Sequence, residues 1–529
     1  MNKNIVIIGL FLATCSLSLS SCLEETFPQG GTITAEQKAQ VEAAILSTGV
    51  GMDAWMNNYE TEGGNTGHTD FGYPALMIMR DLLGQDMVYN PQYNQFGTFY
   101  GVGVALGPDY AFCQFPWRWY YKWAFNANEL ITLVPDPDTA SPEVVAALGK
   151  AYFYRAFAYF DLARLYLAGS YANNPDGLTV PRVIETTVDV ANNPRLTASE
   201  LYPLILADLD KAALYLKDVP ASNKNVPTPA AVYGLYARIH LELGNWAEAE
   251  SYAKQAQAGY TPLTQDQWLD KKTGFNTPDG NTSWIWCTSV TANNEVVKSG
   301  IINWTAFMSP EQYYGYNGPG GGNSGFFIDR HLFDLIPSTD FRKKSFKEPG
   351  LLPAQLESNF PDVASLPNYS AFKFRPGKGE TNDYMIGSAT SVPLMRVEEM
   401  ILIEAEAAAR QNAARGKTVL ENFVKTYRDP AYVSTGAASD IVVDEIWLQR
   451  RIELWGEGFA TFDIKRLNKG ITRSYTGTNH PTGKRFNTNT QPAWMNYCIV
   501  RTEFNNNFSI DPDENNPAPV TPSDSDPAW

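Results

Sequence analysis

Histidine and cysteine are scarce in this 529-residue chain, at four and five copies. The His are scattered and no two Cys form a Cys-x-x-Cys pair, so a transition-metal site has few ligands to draw on. Positive charge is also short: 41 Lys+Arg stand against 57 Asp+Glu, a formal charge of −16. Nucleic-acid binding needs phosphate neutralisation, and an acidic chain without an extended basic run does not supply it. After the first two dozen residues no segment is long and apolar enough to cross a bilayer. The nucleophile-elbow, zincin and P-loop patterns are all missing. Gly101-Val102-Gly103 lacks the third glycine of a dinucleotide loop, and the glycine-rich run from Gly318 to Gly325 has no lysine to hold a phosphate.

What the chain does hold is apolar and aromatic. Hydrophobic residues make up 44%, which excludes wholesale disorder. There are 13 Trp, 28 Tyr and 27 Phe, and their placement carries most of the functional information. The length gives ample material for a core.

The N-terminus reads as an address. Met1-Asn2-Lys3-Asn4 is followed by a short apolar run from Ile5 to Ser21, then Cys22. Leu19-Ser20-Ser21-Cys22 resembles a lipobox, which implies signal-peptide removal after residue 21 and acylation (palmitate) of Cys22. Several acyl chains on one residue make a stable anchor. The loss of residues 1–21 removes only Lys3, leaving 40 basic against 57 acidic residues. Cys113, Cys287 and Cys498 remain in the body, an odd number that implies no disulfide framework, and each reads as a small buried hydrophobe.

The body reads as helix pairs joined by long polar loops. Ser141-Pro142 is a helix start, Ser as cap and Pro in the first turn. Two adjacent stripes follow at helical spacing: Tyr152, Ala156, Tyr159, Ala163, Tyr166, and Phe153, Phe157, Phe160, Leu167. Two neighbouring stripes predict a helix buried on a wide face. A second helix is expected over 199–216 with Ser199 as cap. A third opens at Thr228-Pro229 and stops at Gly244. Asn245 with Glu248 reads as a capping box for a fourth. Ala237, Gly244, Trp246, Ala249 and Ala256 fit the spacing of a tetratricopeptide repeat, a hairpin that stacks into a solenoid. His240 falls where that repeat carries a packed aromatic and reads as a core residue. Strong helical patterns recur at 393–411 and 443–456. Between the helical groups, 259–392 is rich in Gly, Asn, Pro, Trp and Tyr without helical period. The Asp- and Pro-rich tail from Asp511 reads as mobile and solvated.

Two features could carry function. Glu404, Glu406, Glu445, Glu453 and Glu457 are carboxylates of the type a glycosidase pairs, but they share helices with Arg396, Arg450 and Arg451 and read as ion-pair partners. The loop aromatics say more. Tyr93, Phe96, Phe99, Tyr100 and Tyr110 decorate one glycine-containing loop. Trp304, Phe307, Tyr313, Tyr314 and Tyr316 precede the glycine-rich stretch, with Asn303 and Asn317 beside them. Sugars present apolar C–H faces ringed by hydroxyls, which flat aromatic rings and Asn side chains complement. Trp304, Tyr313, Tyr314 and Tyr316 are therefore the expected stacking residues, with Asn303 and Asn317 as hydrogen-bonders. The alternative for any one of these rings is packing of a loop onto the solenoid.

On these residues the chain resembles the SusD/RagB family of surface lipoproteins of Bacteroidota. The resemblance begins with the lipobox at Cys22, and Leu23-Glu24-Glu25 resembles the family's surface-export signal. It continues through the helix Gly149–Leu167 with Val180-Pro181 after it, LYPLILADLDKAALYL at 201–216, and the hairpin PAAVYGLYARIHLELGNWAEAESYAKQA. Asp329–Phe346, Met395–Ala407 and Asp444–Leu467 complete it. Six segments in the family's order make the match specific. The family's closing Pro-rich turn is absent; only Glu503 and Asn505 remain of it.

The resemblance implies a mostly α fold, a tetratricopeptide-like solenoid of helical hairpins with loop-rich insertions forming the ligand face. One domain would span 22–529, with helical repeats over about 30–258, the ligand-binding insertion over about 259–392, C-terminal helices over 393–467 and an irregular segment over 468–529. It implies a non-enzymatic lipoprotein on the cell surface, anchored in the outer membrane. Such a protein is a lid over a SusC-like TonB-dependent transporter and captures oligosaccharide for import. The solenoid side would contact the transporter and the loop side the ligand. No catalytic residue, cofactor or nucleic-acid partner is expected; a structural calcium, as in some relatives, stays open. The competing readings are a RagB-like peptide-binding lid, a surface glycoside hydrolase and a purely structural scaffold.

Overall fold

The computed structural model describes residues 42–90, 95–316, 325–350 and 366–529. The lipobox, Cys22, Tyr93 and Asn317 lie outside them. The longer helices are α1 (Glu42–Trp55), α2 (Tyr73–Leu82), α3 (Ala111–Leu133), α4 (Pro142–Tyr166), α5 (Ala198–Leu216), α6 (Pro229–Leu243), α7 (Trp246–Gln257), α8 (Val397–Gln411), α9 (Ala413–Tyr427), α10 (Ser439–Glu453) and α11 (Ala460–Arg466). Neighbours in this order pack on one another: α3 on α4, α4 on α5, α6 on α7, α7 on α8, and α8 on both α9 and α10. The fold is thus mostly α, as the periodicities predict. Three antiparallel strand pairs tie distant loops together: β1 (Met87–Tyr89) with β5 (Phe326–Ile328), β2 (Leu178–Pro181) with β3 (Arg195–Thr197), and β4 (Trp284–Cys287) with β6 (Pro393–Arg396).

Helix α4 is the spine. Ser141 accepts the Val144 amide at its start and Pro142 occupies the first turn, as expected. Both aromatic stripes are buried, and each such side chain contributes about 1.5–3 kcal/mol on leaving water. Within this apolar helix Asp161 is fully buried, accepting the hydroxyls of Tyr73 (2.9 Å) and Tyr120 (2.7 Å) and pairing with Arg80 at 3.4 Å and with Arg164. One carboxylate thereby joins α2, α3 and α4.

Several boundaries differ from the sequence reading. Helix α5 is capped by Thr197, because Glu200 completes a capping box with it; Ser199 instead bonds Asp176. Asn245 does not cap α7: its side chain turns to the His240 ring at 3.2 Å. His240 is half-buried in a ring column with Tyr236 and Tyr252 rather than deep in the core. Residues 393–396 form β6 instead of the first turn of a helix, since their main chain pairs with β4. Helix α10 begins four residues before the predicted start. Of the rings read as decorating one loop, Phe96, Phe99 and Tyr100 are buried and Tyr110, just before α3, is exposed; Phe99 packs on Phe112 of α3, Phe96 on Phe307 and Phe326, and Tyr100 on Tyr89. Cys113, Cys287 and Cys498 are free and buried, as expected.

The tail is docked. Asp524 accepts the amides of Gly483 (2.8 Å) and Arg485 (2.9 Å), Ser525 donates to Arg485 (2.8 Å) and Ala528 to Ser474 (3.0 Å). Trp529 stacks on Tyr475 with ring centroids 5.5 Å apart. Main-chain pairing with 474–485 gives its polar backbone partners that composition alone does not reveal.

Two sets of buried cations tie distant segments together. In the first, Glu453 is fully buried and reaches three guanidinium groups: Arg428 at 2.7 Å, Arg342 at 3.0 Å and Arg396 at 3.2 Å. Arg396 also pairs with Glu398 and with Glu457, both at 2.8 Å, and Lys373 pairs with Glu457 at 2.5 Å. The array links α8 and α10 to the loop-rich insertion. In the second, cations bond main-chain carbonyls. Arg473 donates to Leu82 (2.7 Å), Gly84 (2.6 Å) and Tyr100 (2.8 Å). Arg195 donates to Leu178, Thr179 and Glu514, and Lys465 to Leu167.

Candidate functional site

Three loops meet at one face. The first is 57–68, glycine-rich and acidic. Asp70 sets its path, accepting the Thr61 hydroxyl at 2.6 Å and the Glu62 amide at 3.0 Å. Burial pushes the Asp70 carboxyl up to about 6. The second is 295–316, which contains the one-turn helix Trp304–Met308. The third is 377–390, with the one-turn helix Tyr384–Gly387. The helix Glu295–Lys298 of the second loop packs on Tyr384–Gly387 of the third, and the Tyr313 amide donates to Thr381 at 2.7 Å.

The aromatics form two layers. Beneath lie Phe71, Phe96 and Phe307, all buried, with Phe71 stacked on Phe307 at 5.7 Å and Phe96 edge-on to it at 5.0 Å. Tyr316 lies on this layer, and further tyrosines lie beside it on the same face. Tyr316 stacks on Phe307 at 5.3 Å, and its hydroxyl bonds the His68 ring. Tyr314 is half-buried and lies edge-on to Tyr384 at 6.4 Å. Burial raises its hydroxyl above the ordinary tyrosine range. Tyr313 and Tyr384 are each 38% exposed, and Ile386 is 41% exposed. Tyr59 is half-buried beside Glu60 and Glu295. Gly387 makes the arrangement possible: a Cβ there would overlap the Tyr314 hydroxyl and the Glu380 carbonyl.

The residues expected from sequence part company here. Tyr313, Tyr314 and Tyr316 lie on this face. Trp304 does not: it is 5% exposed, its ring set edge-on against Phe374 at 5.0 Å. Asn303 is 2% exposed and caps the Trp304 helix, accepting the Ala306 amide at 2.9 Å. In this arrangement both serve as packing, the alternative weighed for loop rings. Tyr59, His68 and Tyr384 join the face without having been singled out. The loop GKGETNDYMIGS carries one aromatic ring, so it has no local aromatic density to reveal it.

The five candidate carboxylates are engaged elsewhere. Glu404 accepts from Gln257 at 2.8 Å, Glu406 binds Arg466, and Glu445 takes the amides of Thr435 (2.8 Å) and Gly436 (2.9 Å). Glu453 and Glu457 belong to the buried array. Among the described residues no three His, Cys, Asp or Glu side chains come together as a metal site.

Comparison with known proteins covers most of the chain. A family model described as "Starch-binding associating with outer membrane" (SusD-like) matches residues 35–241, and one described as the SusD family matches 354–517. Two SusD-like proteins of Formosa agariphila are similar. One is 24% identical over 461 residues, covering 79% of this chain and 85% of that protein. The other is 22% identical over 401 residues, covering 69% and 74%. A SusD-like carbohydrate-binding protein from Bacteroides vulgatus superposes with a TM-score of 0.71 at 22% identity, covering 91% of this chain and 98% of that one. A laminarin-binding SusD-like protein superposes at 0.63 with 17% identity, covering 90% and 99%.

Proposed function

This chain belongs to the SusD/RagB family, and from that premise we propose that it is a glycan-capturing lipoprotein of the outer membrane, tethered through Cys22. It binds oligosaccharide on the tyrosine face and acts as the lid of a SusC-like TonB-dependent transporter. The observation that carries the binding half is the set of partly exposed tyrosines on one face, Tyr59, Tyr313, Tyr316 and Tyr384, with Tyr316 stacked on the buried Phe307. A ring supported from below, as Tyr316 is by Phe307, loses little freedom when a sugar stacks on it, so more of the contact energy appears as affinity. Family membership and the laminarin-binding structural neighbour support a carbohydrate as the ligand. The lid role rests on the family.

The test is calorimetry or a glycan array on the soluble chain from Leu23 onward, with polysaccharides and peptides side by side. Saturable sugar binding without turnover is the expected result. Tyr384→Ala and Tyr313→Ala should each weaken it about ten-fold, within the range of about 1–3 kcal/mol that stacking on an aromatic contributes for nucleic-acid bases. If both substitutions leave affinity unchanged, the face is wrong. Saturable peptide binding would move the protein to the RagB-like branch, and hydrolysis of the bound sugar would overturn the non-enzymatic reading.

A further inference from the structure

The loops that build the tyrosine face are unevenly charged. Residues 57–68, 295–316 and 377–390 together hold six acidic side chains, two lysines and no arginine. Two of the acids are neutralised by arginines from other elements: Glu62 by Arg118 at 3.2 Å, and the buried Glu311 by Arg375 at 2.6 Å. The other four, Glu60, Glu295, Glu380 and Asp383, surround the rings. Glu60 and Glu295 flank Tyr59. Glu380 accepts the Asn382 amide at 2.7 Å and Asp383 the Met385 amide at 2.9 Å, one residue from Tyr384. The Asn382 and Asp383 amides, both donating to Glu380, hold its carboxyl below its ordinary range.

The positive side is weak. Lys298 pairs with Glu295 at 2.8 Å, Lys378 is the other lysine of these loops, and Lys271 lies against Gly379 from a neighbouring segment. The segments 91–94, 317–324 and 351–365 contain no Lys or Arg, so composition offers no further cation there. Recognition of a sulfate or a uronate carboxylate is normally built on an arginine fork or a lysine ammonium. Here the two nearby arginines already hold carboxylates.

We propose that this face selects uncharged glycans and rejects sulfated and uronic-acid glycans. The inference rests on the tyrosine face being the sugar site. Stacking on a tyrosine is indifferent to a charge carried elsewhere on the sugar; the surrounding carboxylates, of which Glu295 alone has a lysine partner within these loops, are not. An anionic polymer presents a charge at nearly every unit, so small repulsions within a Debye length of about 8–10 Å accumulate along the bound stretch. The chain's overall negative charge acts in the same direction at long range.

The experiment uses the soluble chain from Leu23 and a panel of neutral polysaccharides, each with its carboxymethylated and sulfated derivative. Laminarin is included as one neutral parent. Titrations are run at low and at high salt. The expected result is a neutral binder whose charged derivatives bind at least about ten-fold more weakly at low salt, with the gap narrowing as salt screens the repulsion. A Glu295→Gln/Glu380→Gln/Asp383→Asn variant should narrow the same gap at low salt. A charged derivative that binds as well as its parent, or a panel in which only anionic glycans bind, overturns the selectivity and leaves the glycan reading intact. A gap that salt and the variant both leave unchanged also overturns it, since bulk rather than charge would then be excluded. A panel with no binder removes the glycan reading and this inference with it.

Discussion

Glu453→Ala is expected to cost about 3–5 kcal/mol, the range for removing one partner of a buried ion pair, and to leave little folded protein at ordinary growth temperature. The side chain is fully buried and holds Arg342, Arg396 and Arg428 at 2.7–3.2 Å. Its removal strands positive charge that has no route to water. Arg342 keeps Asp340 at 2.6 Å and Arg396 keeps Glu398 and Glu457, so the loss is partial for them. Arg428 retains Glu398 at 3.0 Å and the Leu263 carbonyl at 2.7 Å. Denaturant titration of the variant against the parent measures the cost, and a loss below about 1 kcal/mol would mean that the array is a surface-like pair in disguise. The same array sets an acid limit. Burial by itself would raise the Glu453 and Glu457 carboxyls, but the guanidinium groups around them outweigh it and hold both below the ordinary glutamate range. A carboxylate whose folded value is depressed contributes stability above its unfolded value. That contribution disappears as pH falls toward the folded value. The urea midpoint of the parent should therefore drop as pH is lowered below about 4.5, while Glu453→Ala shows a flatter profile.

The second large effect is expected at Gly72, where alanine should cost about 3 kcal/mol or more, combining backbone strain with overpacking. Gly72 has φ +84°, in the left-handed region. A Cβ at that position would overlap the Met56 carbonyl oxygen and come within 2.8 Å of the Met56 carbonyl carbon. Both are main-chain atoms, so no side-chain rotation relieves the clash. The neighbouring Tyr73 amide donates to that same Met56 carbonyl at 2.8 Å, which fixes the strand of loop returning from 57–71 to α2. Because this loop carries Tyr59 and His68, a variant that still folds should also lose sugar affinity. A thermal melt and a binding titration on the same sample separate the two effects. A melt within a degree of the parent would show that the turn can rearrange.

Helices were legible where burial is periodic. The stripes of Tyr152–Tyr166 and Phe153–Leu167 follow from a helix surrounded on most sides, and α4 is that helix. Boundaries were less legible because they depend on one competing bond: Thr197 displaces Ser199 as a cap through its reciprocal bond with Glu200, and residues 393–396 become strand through a partner more than 100 residues away. Half of the candidate face was readable as aromatic density before the glycine run. The rest was not. Trp304 and Asn303 have the composition of a sugar site, yet the short helix they begin turns inward because its apolar residues fill the space beside Phe374. Tyr384 has no aromatic neighbour in sequence, and it is brought beside Tyr314 by the Tyr313–Thr381 main-chain bond and the packing of 295–298 on 384–387. Residue type marks what a side chain can do; whether it reaches the surface is decided by contacts between distant segments.

The cations that bond main-chain oxygens have an evolutionary consequence. Arg473, Arg195 and Lys465 fasten the chain at residues 82, 84, 100, 178, 179, 514 and 167 through carbonyl groups, which every amino acid possesses. Such an anchor senses where the chain runs and is blind to which residue it runs through. Substitutions near residues 82–100 or in the tail leave the fastening intact so long as the backbone path is kept. A protein built this way can explore new surface chemistry by point mutation while its loops keep their courses, so ligand preference can drift across descendants that share one scaffold.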